Sequence, residues 1–511
     1  MQDATRREFL RRTGALSLVG GAAAPLALNL AALAAATAQT GVADYRALVC
    51  VFLYGGNDAY NTVLATDADS WAHYTAARNQ APDPIALAAV GVPATPAAAA
   101  GLPARLGGVL PLAQGVNAQN PGRSFALHPL LVDVRDLFAA QRLAIVPNVG
   151  PMMRPTGKDD YRNPSFPKPA KLFSHNDQQS IWQALAPEGA VTGWGGRMAD
   201  LLVAGSGTNA VFTGISASGN AVWLAGREVV QYHVSTGGAI RIGGEASSLF
   251  GSTVAFEKMR TIMRSARSAH LLEQDLAGVA ARSIDAEVLL GANLPPADVA
   301  PHGTAGLAAE QPDPLLQYDN PLAGSKAMNA LALQMQVVAR TISASIKLGV
   351  KRQVLFVSLG GFDTHDSQNR NHADMMARLG HALRYFDSTL VGLGLSRQVT
   401  TFTASDFGRT FVSNGDGTDH GWGAHHFVMG GAVRGGDVFG VFPQFGVSDG
   451  KGDFTSPHQI RNGSMLPSIA VDQYAATLGR WFGLDDAQLL DVFPNLVHFD
   501  SAARNLGFMS E

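Results

Sequence analysis

The chain has 511 residues, of which 46% are hydrophobic and 15% are charged, and its formal net charge is -3. This composition supplies enough apolar surface for one or two large domains, and it lacks the basic stripe of a nucleic-acid-binding protein. The single cysteine, Cys50, excludes an internal disulfide, and its place in the apolar run ALVCVFLY predicts a buried side chain.

The first 38 residues have the pattern of an export signal. In TRREFLRR the pair Arg6 and Arg7 precedes a long stretch of Ala, Leu and Gly, and an Ala-Thr-Ala motif then stands before Gln39. This order is typical of a secretory signal, and the paired arginines indicate the twin-arginine (Tat) route. A membrane anchor is the alternative, which Pro25 and the many small residues disfavour. We therefore predict a periplasmic or secreted protein that leaves the membrane after cleavage.

The mature chain is predicted to alternate strands with helices. The first half is predicted to contain a strand at 47–54, an irregular Ala/Pro/Gly-rich segment at 80–122, a helix at 130–140, a strand at 143–149 and a helix that begins at Ser174. The middle is predicted to contain a β-rich stretch at 200–250, a helical stretch at 255–290 and a proline-rich loop at 291–325. The last part is predicted to contain a helix at 327–348, a strand at 353–363, a helix at 371–392 and a strand at 399–409. Strands that are apolar on both faces indicate a mostly parallel sheet covered by helices. We predict one doubly wound α/β domain over 39–511, with insertions near 80–125 and 205–325.

Three predicted strands end in glycine or a small residue followed by polar side chains, in the segments GGND, GGFDTHD and ASDFGR. These side chains are Asn57 and Asp58, then Asp363, His365 and Asp366, and then Asp406. The loop GTDHGWGAHH adds Asp419, His420, His425 and His426. In an open parallel sheet ligands bind at the carboxyl ends of the strands, so we expect these groups to meet there.

Crowded carboxylates repel one another near neutral pH, and a divalent cation removes that repulsion. Oxygen and imidazole ligands together suit Zn, Mn or Fe, whereas oxygen alone suits Mg or Ca, and one or two ions are possible. Each residue also has an ordinary alternative. Asp58 suits a turn, Asp406 an ion pair with Arg409, and His420 a loop. His425 and His426 are adjacent, so only one of them is expected to face the site.

Five longer motifs resemble a known family over residues 45 to 508. They are GGNDAYNT, GGFDTHDSQ, SDFGRT, TDHGWGAHHFVMGGAVRGGDVFGVFP and VDQYAATLGRWFGL…VFPNL. The resemblance is to Tat-exported bacterial proteins catalogued as a domain of unknown function and generally placed near sulfatases in the alkaline phosphatase superfamily. It implies an alkaline phosphatase/sulfatase-type fold with two metals at the strand ends.

Carried over by position, the resemblance implies that Asp58 and Asp406 hold one metal and that Asp363, His365 and His420 hold the other. The chain departs from the superfamily pattern in two places. Asp406 is followed by phenylalanine where an Asp-His pair is usual, and only one residue separates Asp363 from His365, where several are usual.

The superfamily also implies a Ser, Thr or modified Cys nucleophile at the start of a helix, next to a metal. The chain has no cysteine at such a position. Ser174 in FSHNDQQ is the leading candidate, with His175 beside it, although a plain helix cap is the alternative. Thr62 is the second candidate. Arg409 is expected to stabilise a bound anion or to pair with Asp406.

These observations predict an exported metal-dependent hydrolase of phosphate or sulfate esters, acting on a small-molecule or polymer anion with Zn, Mn, Ca or Mg. One alternative is a non-catalytic exported binding or structural protein on the same scaffold. Another is a metal-dependent enzyme that acts on an extracellular polymer. The first two differ in whether a hydroxyl nucleophile lies near the metal ligands.

Overall fold

The computed structural model describes residues 44–113, 119–241, 248–308 and 310–510. The chain divides into two units, Met1–Tyr45 and Arg46–Glu511, and the predicted signal at 1–38 lies outside the described residues. Among the residues described, no helix has both the length and the hydropathy needed to cross a membrane.

The second unit is built from short and long strands separated by helices. The described strands are β1 Arg46–Tyr54, β2 Val63–Ala65, β3 Leu110–Pro111, β4 Phe125–Leu127, β5 Leu143–Gly150, β6 Gly214–Ser216, β7 Tyr232–Ser235, β8 Gly238–Ala239, β9 Gln317–Asn320, β10 Ser325–Met328, β11 Arg352–Gly360, β12 Val399–Ser405, β13 Arg409–Ser413, β14 Thr418–His420, β15 Ala424–Met429, β16 Gln459–Ile460, β17 Ser464–Met465 and β18 Ile469–Ala470. The described α-helices are α1 Ala59–Thr62, α2 Ala68–Arg78, α3 Pro103–Leu106, α4 Val132–Ala139, α5 Lys158–Arg162, α6 His175–Ala184, α7 Trp194–Asp200, α8 Thr253–Met263, α9 Leu271–Asn293, α10 Ala330–Lys347, α11 Gln368–Gly392, α12 Val471–Phe482 and α13 Asp486–Val492.

Nine strands form the central sheet, in the order β18-β5-β15-β12-β1-β11-β6-β7-β8. The strand β1 lies near the middle and pairs in parallel with both β11 and β12. The pairs β11–β6, β6–β7 and β18–β5 are also parallel. Only β15 and β8 pair antiparallel with their neighbours in this sheet. The large, mostly parallel sheet of a mixed α/β fold is therefore confirmed.

Burial on both faces of β1 explains why its sequence is a continuous apolar run. Cys50 and Phe52 pack on one face, in a cluster that includes Trp194 of α7 and Tyr474 of α12. Val51 points to the opposite face and is also fully buried. Cys50 is buried and free, as predicted. A strand covered on both sides needs apolar residues at every position, which removes the alternation of a half-exposed strand.

The predicted elements are least accurate in the middle of the chain. The stretch from 200 to 250 holds 3-10 turns at Val203–Phe212 and only the short strands β6, β7 and β8 among its described residues. The helical stretch predicted at 255–290 consists of two helices, α8 and α9. The proline-rich loop at 291–325 contains β9, which forms a hairpin with β10. Strands of two to four residues are too short to show a periodic pattern.

The carboxyl ends of β1, β11 and β12 meet at one edge of the sheet, because the three strands are parallel neighbours. The two glycines after β1 make this approach possible. A Cβ on Gly55 would lie 2.3 Å from the backbone N of Asp363, and a Cβ on Gly56 would lie 2.4 Å from the ring of Phe407. Both glycines have positive φ, of 114° and 87°. The end of β1 is therefore pressed against the segments that follow β11 and β12.

Candidate functional site

The candidate site is centred on Asp363, the first acidic residue after β11. Its Oδ1 accepts a hydrogen bond from Arg409 Nη1 at 2.7 Å. The Nε2 atoms of His365 and His420 lie 3.2 and 3.3 Å from the same oxygen, and Nε2 of His175 lies 3.4 Å from Oδ2. Burial raises the pKa of Asp363, but the hydrogen bond and charge of Arg409 outweigh it and leave the pKa below its ordinary value. An ionised carboxylate therefore faces three imidazole nitrogens.

Separate segments of the chain supply these side chains. His175 is the first residue of α6, and His365 follows β11 in the same loop as Asp363. His420 ends β14, where its Cα pairs with that of Arg409 in the β13–β14 hairpin. One short hairpin thus supplies both the arginine and a histidine. The site depends on the sheet edge to bring the three segments together.

The orientations of His175 and His365 are set by carboxylates behind them. Nδ1 of His175 donates to Oδ2 of Asp406 at 2.8 Å, and Nδ1 of His365 lies 3.3 Å from Oδ1 of Asp419. A carboxylate only accepts, so the Nδ1 atom that faces it carries a proton, and Nε2 is the atom that can bind a cation when the ring is neutral. The hydrogen bond to Asp406 also raises the pKa of His175, against the opposing effect of burial. Both Nε2 atoms face Asp363.

His420 is oriented by a backbone carbonyl instead. Its Nδ1 donates to the carbonyl oxygen of Phe173 at 2.7 Å, which leaves the lone pair on Nε2. Phe173 has φ 73°, a strained conformation for a bulky residue, and such strain concentrates at functional sites. Burial lowers the pKa of His420, so its imidazole is neutral. Its Nε2 lies only 3.0 Å from Nε2 of His365.

These atoms fit a divalent cation. His175, Asp363 and His420 each offer one ligand atom, and the three atoms lie within 4.8 Å of one another. A carboxylate and imidazole nitrogens that face one another can bind either protons or a cation, and a divalent cation neutralises the carboxylate charge. Histidines that donate their other ring nitrogen to a carboxylate or carbonyl are typical of metal ligands. The mixture of nitrogen and oxygen donors suits Zn, Mn or Fe better than Ca or Mg.

Asp406 acts behind His175 rather than beside Asp363. Its side chain is fully buried, and its Oδ2 accepts from His175, from Gln179 Nε2 at 2.8 Å and from the backbone N of Gly55 at 3.2 Å. His175 therefore bridges the two carboxylates, through Nδ1 to Asp406 and through Nε2 to Asp363. Asp406 was expected to be a metal ligand itself. In the structure it orients His175 instead.

Phe407, which follows Asp406 directly, forms an apolar wall of the site. Its ring centroid lies 4.5 Å from that of His420 and 4.9 Å from that of His175. The side chain is fully buried. Phe407 thus makes a packing contact against two histidines and offers no ligand atom. The geometry favours one cation at this site rather than two.

Asp58 belongs to a buried ion pair, contrary to its expected role as a ligand. Its Oδ2 and Oδ1 accept from Arg78 at 2.6 and 3.0 Å, and Oδ2 also accepts from Gln368 at 2.6 Å. Oδ1 also accepts from the backbone N of Tyr60 and so caps α1. Asp58 and Arg78 are both fully buried. Every strong acceptor position on this carboxylate is in use, so no ligand position remains.

Thr62 is buried and is not placed as a nucleophile. Its Oγ1 donates to the carbonyl oxygen of Asp58 at 2.7 Å and lies 3.1 Å from Oδ1 of Asn57. Asn57 Oδ1 also contacts Nε2 of His372, at 3.1 Å. Thr62 has no exposed surface, and Asn57 is 1% exposed. Both residues anchor the segment after β1 to α11, and neither contacts the histidine cluster.

Ser174 precedes α6, as predicted, but its hydroxyl is directed elsewhere. Its side chain makes no capping hydrogen bond, and Oγ donates to Oδ2 of Asp177 at 3.0 Å. The neighbouring His175, predicted as an additional site residue beside the nucleophile, is the residue that reaches Asp363. The sequence signal that could have identified His175 as a site residue is its position at the start of a helix that begins at the carboxyl edge of the sheet. The structure therefore does not support Ser174 as the nucleophile.

Arg409 pairs with Asp363 and not with Asp406. Besides the bond to Asp363, Nη1 lies 3.3 Å from the carbonyl oxygen of Gly55, Nη2 donates to the carbonyl oxygen of Thr418, and Nε donates to its Oγ1 at 3.2 Å. The side chain is 1% exposed. With its donors used in this way, Arg409 holds Asp363 in place and is not free to bind an anion.

His425 and His426 lie in β15, so their side chains point to opposite faces of the sheet. His425 packs on Phe442, with ring centroids 4.6 Å apart, and its Nδ1 accepts from the backbone N of Asn148 at 3.0 Å. His426 packs on Trp182, with centroids 4.7 Å apart. Burial lowers the pKa of both histidines to about 3. They are neutral core residues, and neither of them faces the site.

One supporting residue, Gln179, was missed, and one expected residue stands apart. Asp419 and Gln179 support the site through His365 and Asp406, contacts that no local spacing indicates. Asp366 is exposed in the loop that follows Asp363. It provides a natural comparison for the carboxylate at the centre.

The fold and the site define an α/β protein with a histidine–aspartate cluster at the carboxyl edge of a mostly parallel sheet. The family described as "Protein of unknown function (DUF1501)" matches residues 45–493, and the chain belongs to that family. No curated protein matches the chain. A solved structure titled "Crystal structure of Ps i-CgsB" is similar at 11% identity, over 73% of this chain and 71% of that chain, with a TM-score of 0.30. A likeness at that TM-score carries no argument about fold or function.

Proposed function

We propose that the protein is a metal-dependent hydrolase of phosphate or sulfate esters, exported through the Tat route and related to sulfatases on an alkaline phosphatase-type scaffold. One observation carries the metal-dependent part. Nε2 atoms of His175, His365 and His420 converge on Asp363, and each Nδ1 is held by an acceptor. The sulfatase relationship and the ester substrates are supported by the motif resemblance.

In this proposal the cation is held by His175, Asp363 and His420. A divalent cation supplies Lewis acidity there and lowers the pKa of a coordinated water. The surrounding residues keep the ligands in place before any substrate arrives. Arg409 fixes Asp363 through the 2.7 Å hydrogen bond, and buried Phe407 blocks water from one side of two ligating rings. Such preorganisation is what a metal centre needs from its protein.

Water is the proposed nucleophile, because the hydroxyls of Ser174 and Thr62 are both bonded elsewhere. His365 is the proposed general base. Its side chain is 40% exposed, and Asp419 holds its Nδ1 so that Nε2 can accept a proton from water. A histidine oriented by a carboxylate is the usual arrangement for this role.

The test begins with metal analysis of protein purified from the periplasm. Asp363→Asn and His420→Gln should lose the metal, because each removes a ligand. Asp366→Asn is the matched control, since it changes an exposed carboxylate in the same loop and should keep wild-type metal content. If the wild-type protein contains no bound metal, or if the control variant loses metal equally, the proposed metal dependence is wrong.

The second stage is a panel of aryl phosphate and aryl sulfate esters. His365→Gln should retain the metal and reduce hydrolysis by about 100-fold or more, as expected for loss of a general base. Ser174→Ala should retain both metal and activity. If Ser174→Ala abolishes turnover with metal content intact, the hydroxyl is the nucleophile after all and the water mechanism is wrong.

A non-catalytic binding or structural protein is the second candidate. The observation that favours it is that both candidate hydroxyls, those of Ser174 and Thr62, are bonded away from the cluster. That protein would contain the metal, lose it in Asp363→Asn, and hydrolyse none of the esters. The two candidates therefore separate on turnover by metal-loaded wild-type protein.

A further inference from the structure

A second concave site lies apart from the histidine cluster, beyond the other end of α6. It is a pocket of about 380 Å³. Its walls come from the segment after β5, the later part of α6, the start of α12 and the turn after α13, and they include Met152, Ile181, Leu185, Pro494 and Asp472. Ligand pockets in proteins commonly hold 300 Å³ or more and are mostly apolar.

The chemistry of this pocket is almost entirely aliphatic. None of the described residues that line it is aromatic, and the charged ones are Lys168 and Asp472. Lys168 is already engaged, because its Nζ donates to the carbonyl oxygen of Asn163 at 2.7 Å and lies over the ring of Tyr161. A permanently charged ligand therefore has no free counter-ion on that side. The lining instead suits a flexible, saturated hydrocarbon group.

Asp472 is a buried polar residue of this lining whose bonding is incomplete. It is the second residue of α12, is 2% exposed, and its Oδ1 has no hydrogen-bond partner among the described residues. A buried polar atom without a partner costs free energy, and in native proteins it calls for an explanation. Burial raises the pKa of Asp472 to about 7, although hydrogen bonds from Asn495 and the charge of Arg197 oppose the rise. Below that pH the carboxyl group keeps its proton and is a hydrogen-bond donor.

We propose that this pocket binds a small neutral aliphatic molecule that carries one hydrogen-bond acceptor, such as a ketone or ester carbonyl, and that Asp472 donates to that acceptor. The aliphatic lining accounts for the hydrocarbon part of the ligand. The unpartnered oxygen accounts for the single polar group. A carboxylic acid kept neutral by burial is an established way to donate a hydrogen bond in an apolar site.

Affinity should depend on pH through Asp472 alone. The charged group that acts on it is Arg197 of α7. An arginine keeps its charge between pH 5.5 and 8.5, since its ordinary pKa is above 12. With a pKa of about 7, roughly one molecule in 30 keeps the proton at pH 8.5, so apparent affinity should fall about 30-fold from pH 5.5.

The experiment uses 2-heptanone as the probe and the full-length protein with ¹³C-methyl-labelled methionines. Met152 and Met153 both line the pocket and report binding through their methyl NMR signals. The ketone should shift these two signals at pH 5.5, and its titration should give about 30-fold weaker apparent affinity at pH 8.5. Ala186→Trp, which fills the pocket from its half-buried rim, should abolish the shifts.

Asp472→Asn is the decisive variant, because an amide donates a hydrogen bond at every pH. It should bind 2-heptanone with the same affinity at pH 5.5 and pH 8.5. The proposal fails if the wild-type signals do not shift, if wild-type affinity is independent of pH, or if the shifts survive Ala186→Trp. None of these readouts depends on hydrolysis, so the result is independent of the proposed activity.

Discussion

Replacement of Arg78 by methionine should cause a large loss of stability with no loss of metal. Arg78 donates to both carboxylate oxygens of Asp58, at 2.6 and 3.0 Å, and both side chains are fully buried. The same guanidinium donates to the carbonyl oxygens of Thr410 and Phe411, at 2.8 and 3.0 Å. Arg78 thus joins the end of α2 to the segment after β1 and to β13.

The expected magnitude follows from these contacts. Removing one partner of a buried ion pair costs about 3–5 kcal/mol, because the other charge remains buried without compensation. The two carbonyl groups lose charged donors as well, and each such loss costs roughly 1–3 kcal/mol. The contributions overlap, so we expect a decrease of about 4 kcal/mol or more in the free energy of unfolding. Methionine has a similar length, which keeps the cavity term small.

The measurement is urea denaturation followed by tryptophan fluorescence, with metal analysis of the folded variant. Arg135→Met is the control. Its ion pair with Asp136 has side chains 38% and 51% exposed, so its loss should cost less than about 1 kcal/mol. If Arg78→Met lowers the free energy of unfolding no more than this control does, the assignment of Asp58 to a stabilising ion pair is wrong. If Asp58→Asn removes the metal from a folded protein, Asp58 is a ligand.

Two further predictions concern other parts of the chain. Because the folded state keeps the proton of Asp472 up to about pH 7 while the unfolded chain releases it near pH 3.8, the stability that this group contributes falls as pH rises between those values. Asp472→Asn should therefore gain stability relative to wild type between pH 5 and pH 8 in urea denaturation, and a constant difference would contradict the raised pKa. Replacing Arg6 and Arg7 by lysine should retain the protein in the cytoplasm on cell fractionation, whereas normal export of that variant would exclude the Tat route.

The apolar runs of β1, β11 and β12 were recognisable from the sequence because their full burial requires apolar residues at consecutive positions. Glycines and acids after such runs predict a ligand site at the carboxyl edge of a parallel sheet. Asp363, His365 and His420 were found by this reasoning, and the structure places them together. The sequence also carries long motifs that identify the family.

The sequence did not distinguish ligands from supporting residues among these acids. Asp58 and Asp363 both follow a strand and two glycines, yet Asp58 is neutralised by Arg78, which lies 20 residues away at the end of α2. His175 carries no local signal apart from its place at the start of α6. It becomes a site residue only because the fold sets it between Asp363 and Asp406.

The sequence by itself determined the long strands and helices and their order, since burial periodicity and turn residues are local properties of the chain. Only the tertiary structure decided which polar side chain meets which partner. Hydrogen bonds and ion pairs act over about 3 Å between residues that are hundreds of positions apart, such as His175 and Asp406. Whether a carboxylate binds a metal, an arginine or a histidine depends on that distance, and no spacing along the chain encodes it.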